Sequence, residues 1–186
     1  MNRFHRWYCR SDLWRQRAQG ELVPWVLKGV DLGDELLEIG PGPGVTTDVL
    51  AAAAKRLTAV EIDPQLAESL QRRKRGSNVR VIQGDATRLP FPDGAFSGAV
   101  SFTMLHHVPS AALQDRLLAE TRRVLRPGGV FAGSDSRTSL FFRAAHLFDT
   151  MVLVDPSSFA ARLERAGFRN VDVKPVAEAF RFRAVA

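Results

Sequence analysis

Three alternating glycines, Gly40, Gly42 and Gly44, with Pro41 and Pro43 between them, follow the apolar run Leu36-Leu37-Glu38-Ile39. Glycine permits a sharp turn and a close approach of ligand to backbone, and a helix starting after such a turn points its free N–H groups at that ligand. Glycines also serve turns that bind nothing, so spacing and neighbours decide the chemistry. The spacing here is G-x-G-x-G. The third glycine of the dinucleotide fingerprint G-x-G-x-x-G would fall at position 45, which is Val45. Glu38, two residues ahead of the first glycine, would repel a pyrophosphate and suits a ligand that carries a positive amino group.

Further polar candidates follow later apolar runs. In Val60-Glu61-Ile62-Asp63-Pro64, a carboxylate at Glu61 can accept both hydroxyls of an adenosine ribose, with Ile62 beside it. Asp63 reads as a helix cap. In Gly84-Asp85-Ala86, Asp85 can accept an adenine amino group while backbone and apolar groups hold the ring. Acids at three successive strand ends lie on the face where open α/β sheets bind ligands. His106 and His107 come after the fourth run. Histidine titrates near neutrality, so either is a candidate general base.

The elements that must position these residues are legible as alternating strand-length runs and amphipathic stretches, the form of repeated βα units around a parallel sheet. The runs are Glu35 to Ile39, Leu57 to Ile62, Val79 to Gln83, Gly98 to Phe102 and Val130 to Gly133. Helices are expected over Thr47 to Ala54, over Gln65 to Arg75 behind the Asp63-Pro64 cap, and after Ser110. Arg126-Pro127-Gly128-Gly129 should end the last of these and turn into the fifth run. Asp155-Pro156 starts another helix that Gly167 ends. Phe168 to Val173 and Ala179 to Val185 are joined by too short a link for a crossover helix, so they should pair as an antiparallel hairpin.

From about Leu36 to Arg169 the chain resembles the class I S-adenosylmethionine-dependent methyltransferases, in particular the small-molecule branch of ubiquinone and menaquinone biosynthesis methyltransferases. The resemblance rests on Glu38-Ile39-Gly40-Pro41-Gly42-Pro43-Gly44, Glu61, Asp85-Ala86, Ser101-Phe102-Thr103-Met104-Leu105-His106-His107-Val108 and Leu125-Arg126-Pro127-Gly128-Gly129. It implies a Rossmann-like α/β fold: a seven-stranded, mostly parallel sheet with a C-terminal antiparallel hairpin and helices on both faces. It implies S-adenosylmethionine as cofactor, its methionine part held by the glycine segment, its ribose by Glu61 and its adenine by Asp85 and Ala86. Ile62 and Thr103 join this cofactor set. No metal is called for. Because the sulfonium is already a good leaving group, alignment of the acceptor with the methyl can supply much of the catalysis, and His106 or His107 is needed only for an acceptor that is protonated when it attacks.

The entry segment supplies candidates for acceptor recognition. Phe4, Trp7, Tyr8, Ser11 and Trp14 fall on one stripe of a helix, and all three tryptophans and the only tyrosine lie in the first 25 residues. Residues 1–33 are therefore expected to form a helical lid with Trp7 and Tyr8 nearest the site, and residues 34–186 the cofactor-binding domain. A face that only packs, or a helix on a membrane surface making transient contact there, are the alternatives. The Phe- and Leu-rich stretch Leu140 to Val154 could add Phe142 to an apolar acceptor pocket.

Length and charge narrow the remaining choices. A chain of 186 residues, 45% hydrophobic and 25% charged, suits one globular domain. The net charge of +6 invites a nucleic-acid partner. Residues 1–28, however, hold six of the 26 bases and two of the 20 acids, which leaves a nearly balanced body of 20 and 18. The Asn/Asp-Pro-Pro-aromatic signature of many base methylases is missing, since positions 101–104 read Ser-Phe-Thr-Met. A small-molecule acceptor is therefore preferred to RNA, and both to a nicotinamide-dependent reductase or a non-catalytic cofactor binder. The single Cys9 suits a reducing cytoplasm, and no apolar run approaches the ~18 residues of a membrane span.

Overall fold

Both faces of the central strands carry apolar side chains, which only a sheet covered by helices on both sides can bury. Leu37, Ala99 and Phe131 enter one core cluster, while their chain neighbours Leu36, Val100 and Ala132 enter a second on the opposite face. The structure, a computed structural model, describes residues 11–137 and 151–186. Its strands are β1 (Glu35–Ile39), β2 (Arg56–Glu61), β3 (Val79–Gln83), β4 (Phe96–Phe102), β5 (Leu125–Ser136), β6 (Arg169–Pro175) and β7 (Ala179–Val185). They form one sheet in the order β3-β2-β1-β4-β5-β7-β6. The β1 to β5 pairings are parallel, and β7 runs antiparallel to both β5 and β6.

The chain enters through α1 (Asp12–Arg17), a π-helical turn (Ala18–Leu22) and α2 (Val23–Leu27). Helices α3 (Val45–Ala53), α4 (Pro64–Arg73), α5 (Ala111–Val124) and α6 (Pro156–Arg165) complete the layers. Leu117, Leu118, Phe159 and Leu163 of α5 and α6 fill one cluster, and Val23, Val26, Leu50, Ala67 and Leu70 of α2, α3 and α4 fill the other. Helix starts follow the caps read from the sequence. Asp63 Oδ1 accepts the N–H groups of Gln65 at 2.9 Å and Leu66 at 3.1 Å, Ser110 Oγ accepts that of Leu113, and Asp155 Oδ1 that of Ser157. Among the described residues no helix is long and apolar enough to cross a membrane.

Two expectations need correction. A continuous helical stripe from Phe4 to Trp14 is broken at Ser11, which is extended (φ −68°, ψ 152°) and caps α1 by accepting the Trp14 N–H at 3.1 Å. A serine followed by Asp12 starts a helix better than it continues one. Trp7, Tyr8 and Phe142 lie outside the described residues. The described part of the entry segment is tied to the body, since Arg181 of β7 donates to the Trp25 carbonyl at 2.6 Å and stacks over its ring. The second correction concerns Arg126 to Gly129, which lie inside β5 and not before it. Leu125 pairs with Phe96 and Val130 with Gly98, so the Pro-Gly-Gly segment bulges out while pairing resumes on either side.

Candidate active site

A cavity of about 370 Å³ opens at the carboxyl ends of β1 to β4, where open α/β sheets bind ligands. Its first wall is the turn after β1, which includes Gly40 and Gly42. Gly40 has φ 68°, and a Cβ there would lie 2.2 Å from Met104 Cγ, so both conformation and packing require glycine. Gly42 has φ 56°, yet a Cβ there would meet nothing within 4 Å. Gly42 is itself one of the residues that line the cavity. Gly44, φ 83°, packs against Leu70 and Arg73, starts α3 and does not itself line the cavity.

Glu61 ends β2 and joins the second wall to the first. Its carboxylate, in a side chain only 6% exposed, accepts the Gly42 N–H on Oε2 and the Asp63 N–H on Oε1, each at 2.9 Å. A carboxylate has about four acceptor positions, more than these two N–H groups fill. Burial pushes its pKa above the usual carboxylate value, and the Asp63 and Gly42 N–H groups act against that rise.

Glu38 is placed differently. It is 1% exposed, behind the glycine turn, and its two oxygens accept the Thr46 and Thr47 hydroxyls at 2.5 and 2.6 Å. Thr46 lines the cavity but Glu38 does not. Desolvation raises its pKa to about 7 against the pull of both hydroxyls, with the charges of Asp48 and Glu61 adding to the rise. A direct contact between Glu38 and a ligand in the cavity is therefore not what this packing provides.

The remaining walls hold Ile62, Asp85, Ala86 and Thr103. Ile62 is 66% exposed, a large apolar side chain left at the cavity mouth. Asp85 folds its own loop, its Oδ1 accepting the Thr87 N–H at 2.8 Å. Thr103 has φ 49° and donates its N–H to Ser134 O at 2.8 Å. A β-branched residue in the left-handed region costs about 1–3 kcal/mol, and such strain concentrates at functional sites.

The two histidines part company in a 3-10 turn, Leu105–His107. His107 lines the cavity. His106, offered equally by the sequence as a base, is 1% exposed and turned into the core, its Nδ1 against the carboxylate of Asp135. Asp135 was not among the expected site residues, because it lies past the apolar run Val130 to Gly133, between Ser134 and Ser136, where β5 continues. Met104, which occupies the space Gly40 leaves, and the threonine partners of Glu38 were likewise not expected, the threonines being marked only by their place in the first helical turn after the glycines. Trp14, read as part of the aromatic stripe, does reach the cavity.

Comparison with known proteins follows the same lines. A family model described as "Methyltransferase domain" matches residues 37–133. The probable ribosomal RNA small subunit methyltransferase A of Thermococcus onnurineus is 34% identical over 139 residues, 69% of this chain and 50% of that protein. The demethylmenaquinone methyltransferase of Tropheryma whipplei is 31% identical over 134 residues, 69% of this chain and 54% of that protein. A probable S-adenosylmethionine-dependent methyltransferase of Mycolicibacterium smegmatis is 33% identical over 170 residues, 89% of this chain and 60% of that protein. The chain thus spans about half the length of the first two curated relatives. A SAM-dependent methyltransferase from Aquifex aeolicus shares the fold, with a TM-score of 0.76 at 18% identity over 100% of this chain and 98% of that one. With a matching family model over more than half of its length and the sheet order and cavity described above, the chain belongs to the S-adenosylmethionine-dependent methyltransferase family.

Proposed function

We propose that the chain binds S-adenosylmethionine in the cavity and catalyses transfer of its methyl group to a small, apolar or aromatic acceptor by in-line displacement. The observation that carries this reading is the junction of Glu61 with Gly42, where a buried carboxylate and an open stretch of backbone meet at the cavity wall. Glu61 would take the ribose hydroxyls, Gly40 to Gly42 the methionine part, and Asp85, Ala86 and Ile62 the adenine. Glu38 acts from behind the turn as a buried acid whose ionisation favours a cationic ligand, with no contact of its own.

The cofactor supplies an electrophilic methyl on a sulfonium leaving group. The protein's residues orient the acceptor and exclude water. Trp14, Met104, Val108, Leu113 and Leu117 offer an apolar wall to the acceptor, and His107 is the base for an acceptor that must lose a proton. Calorimetric titration with S-adenosylmethionine, S-adenosylhomocysteine and NADPH tests the core of this reading. Micromolar binding of the two sulfur compounds and none of NADPH is expected, and failure of both sulfur compounds to bind overturns it.

An RNA acceptor is the second reading. It is favoured by the net charge of +6 and by the ribosomal RNA methyltransferase named among the relatives. RNA binding that weakens steeply with salt, together with methyl incorporation into RNA, would select it over the small-molecule acceptor.

A further inference from the structure

Asp135 and His106, 29 residues apart in sequence, form a buried pair, and neither lines the cavity. We propose that Asp135 is a positioning residue: by gripping His106 from the core it sets the place of His107 in the cavity wall. This rests on the reading of the cavity as the reactive site.

Asp135 and His106 are 0% and 1% exposed. An isolated buried carboxylate is costly, but this one is satisfied by three donors. Oδ2 accepts the His106 backbone N–H at 3.0 Å. Oδ1 accepts the Ser136 N–H at 2.6 Å and meets Nδ1 of the His106 ring. An acceptor at Nδ1 selects the ring form that carries a proton there and fixes the ring's orientation.

The other side of the turn is fastened as well. The His106 carbonyl accepts the Val152 N–H at 2.8 Å. Gln114 Nε2 bridges the carbonyls of Leu105, at 3.0 Å, and Val152, at 2.7 Å. The backbone of Leu105 and His106 is thus committed to the core on both sides. The ring of His107 lies 4.2 Å from that of His106, at 42°, so the locked ring is a wedge against the side chain that reaches the cavity. The anchor is continuous with the strained neighbour, because Ser134, next to Asp135, accepts the Thr103 N–H.

Isotope-edited NMR of the histidine rings reads this directly. The ring Cε1–Hε1 resonance of His107, assigned with His107→Ala, is compared between the wild-type chain and Asp135→Ala, free and with S-adenosylhomocysteine. The expected result is a displaced His107 resonance in the variant in both states, in a chain that still unfolds in one cooperative transition. Where Asp135→Ala does not fold, Asp135→Asn, which keeps an acceptor, takes its place with a smaller displacement in the same direction. A His107 resonance that coincides with the wild type while only the melting temperature falls overturns the proposal. If S-adenosylhomocysteine fails to bind the wild-type chain, the cofactor reading fails, and the free-state resonance still decides the role of Asp135.

Discussion

The β1–β2 side of the cavity is built from contacts that are short along the chain, whereas the β4–β5 side is built from contacts that are long. Glu61 is held by an N–H two residues on and by one 19 residues back, and Glu38 by hydroxyls eight and nine residues on. On the other side, the turn that carries His107 depends on Asp135, 29 residues from His106, and on Gln114, which spans 38 residues to Val152. The first side is a strand, a short turn and a helix start, twice over: a glycine turn after β1, and Ile62-Asp63 after β2. The second exists only once β5 has docked beside β4, so its geometry reports on the whole sheet. A site made of these two halves can keep its ligand contacts local while its reactive residue is tuned from the core.

The largest expected effect tests the local half. Glu61→Ala removes two acceptor positions for the cofactor, and at about 1.5–3 kcal/mol for each hydrogen bond to a charged group the affinity for S-adenosylmethionine should fall roughly 100- to 20,000-fold. Calorimetry measures it, and a loss of less than about threefold would mean that Glu61 serves only the Gly42 turn.

Glu38→Gln comes next. The pKa of Glu38 in the folded chain is raised from 4.5 to about 7 by burial, so the folded state keeps a proton that the unfolded state has already released. Its stabilising contribution is full below about pH 4.5, is lost as pH rises toward 7, and is flat above. The total is on the order of 3 kcal/mol, from ~1.4 kcal/mol per unit. Urea unfolding from pH 4.5 to 8 should show a larger loss in the wild-type chain than in Glu38→Gln, which keeps only the smaller contribution of Glu61. Parallel curves would show that Glu38 stays ionised throughout.

His107→Ala probes the long-range half. With an acceptor that must lose a proton, the rate should drop about 100-fold or more, while affinity for S-adenosylhomocysteine holds. Equal rates in single-turnover assays would leave His107 as part of the wall and alignment as the whole of catalysis.

The smallest effect belongs to the link between the entry segment and the site. Arg15 lies 3.4 Å from Asp48 with 40% of its side chain exposed, and Asp48 also pairs with Lys74 at 2.5 Å. Arg15→Ala should cost no more than about 0.5 kcal/mol, a shift of about 1–2 °C in Tm. A larger loss would make α1 a structural part of the glycine-turn side.

The same contrast governs what could be read in advance. Caps at Asp63, Ser110 and Asp155 act on N–H groups two or three residues away, so side-chain type alone locates the helix starts. Strand runs were legible because helices cover both faces and leave few polar interruptions. Ser11 was read as one position in a stripe, where its hydroxyl was free to cap instead. The bulge at Arg126 to Gly129 followed from pairing on two sides, with Phe96 and Gly98 of β4 fixing its ends and Gly128 donating to the carbonyl of Ala186. No local pattern encodes either partner.

From its residues alone the chain determines a βα-repeat sheet, a glycine turn at the end of the first strand and acids at the next two strand ends, because periodicity, caps and turns act over a few residues. Tertiary structure decided the rest. Successive side chains in a 3-10 turn point roughly 120° apart, so His106 and His107 meet different surroundings. Which one faces the cavity is set by how the turn docks onto β5, where Asp135 takes His106 inward. Likewise Glu61 ends β2 while Glu38 lies one residue inside β1, level with Ala59, and packing gives Glu38 to Thr46 and Thr47 and Glu61 to the cavity.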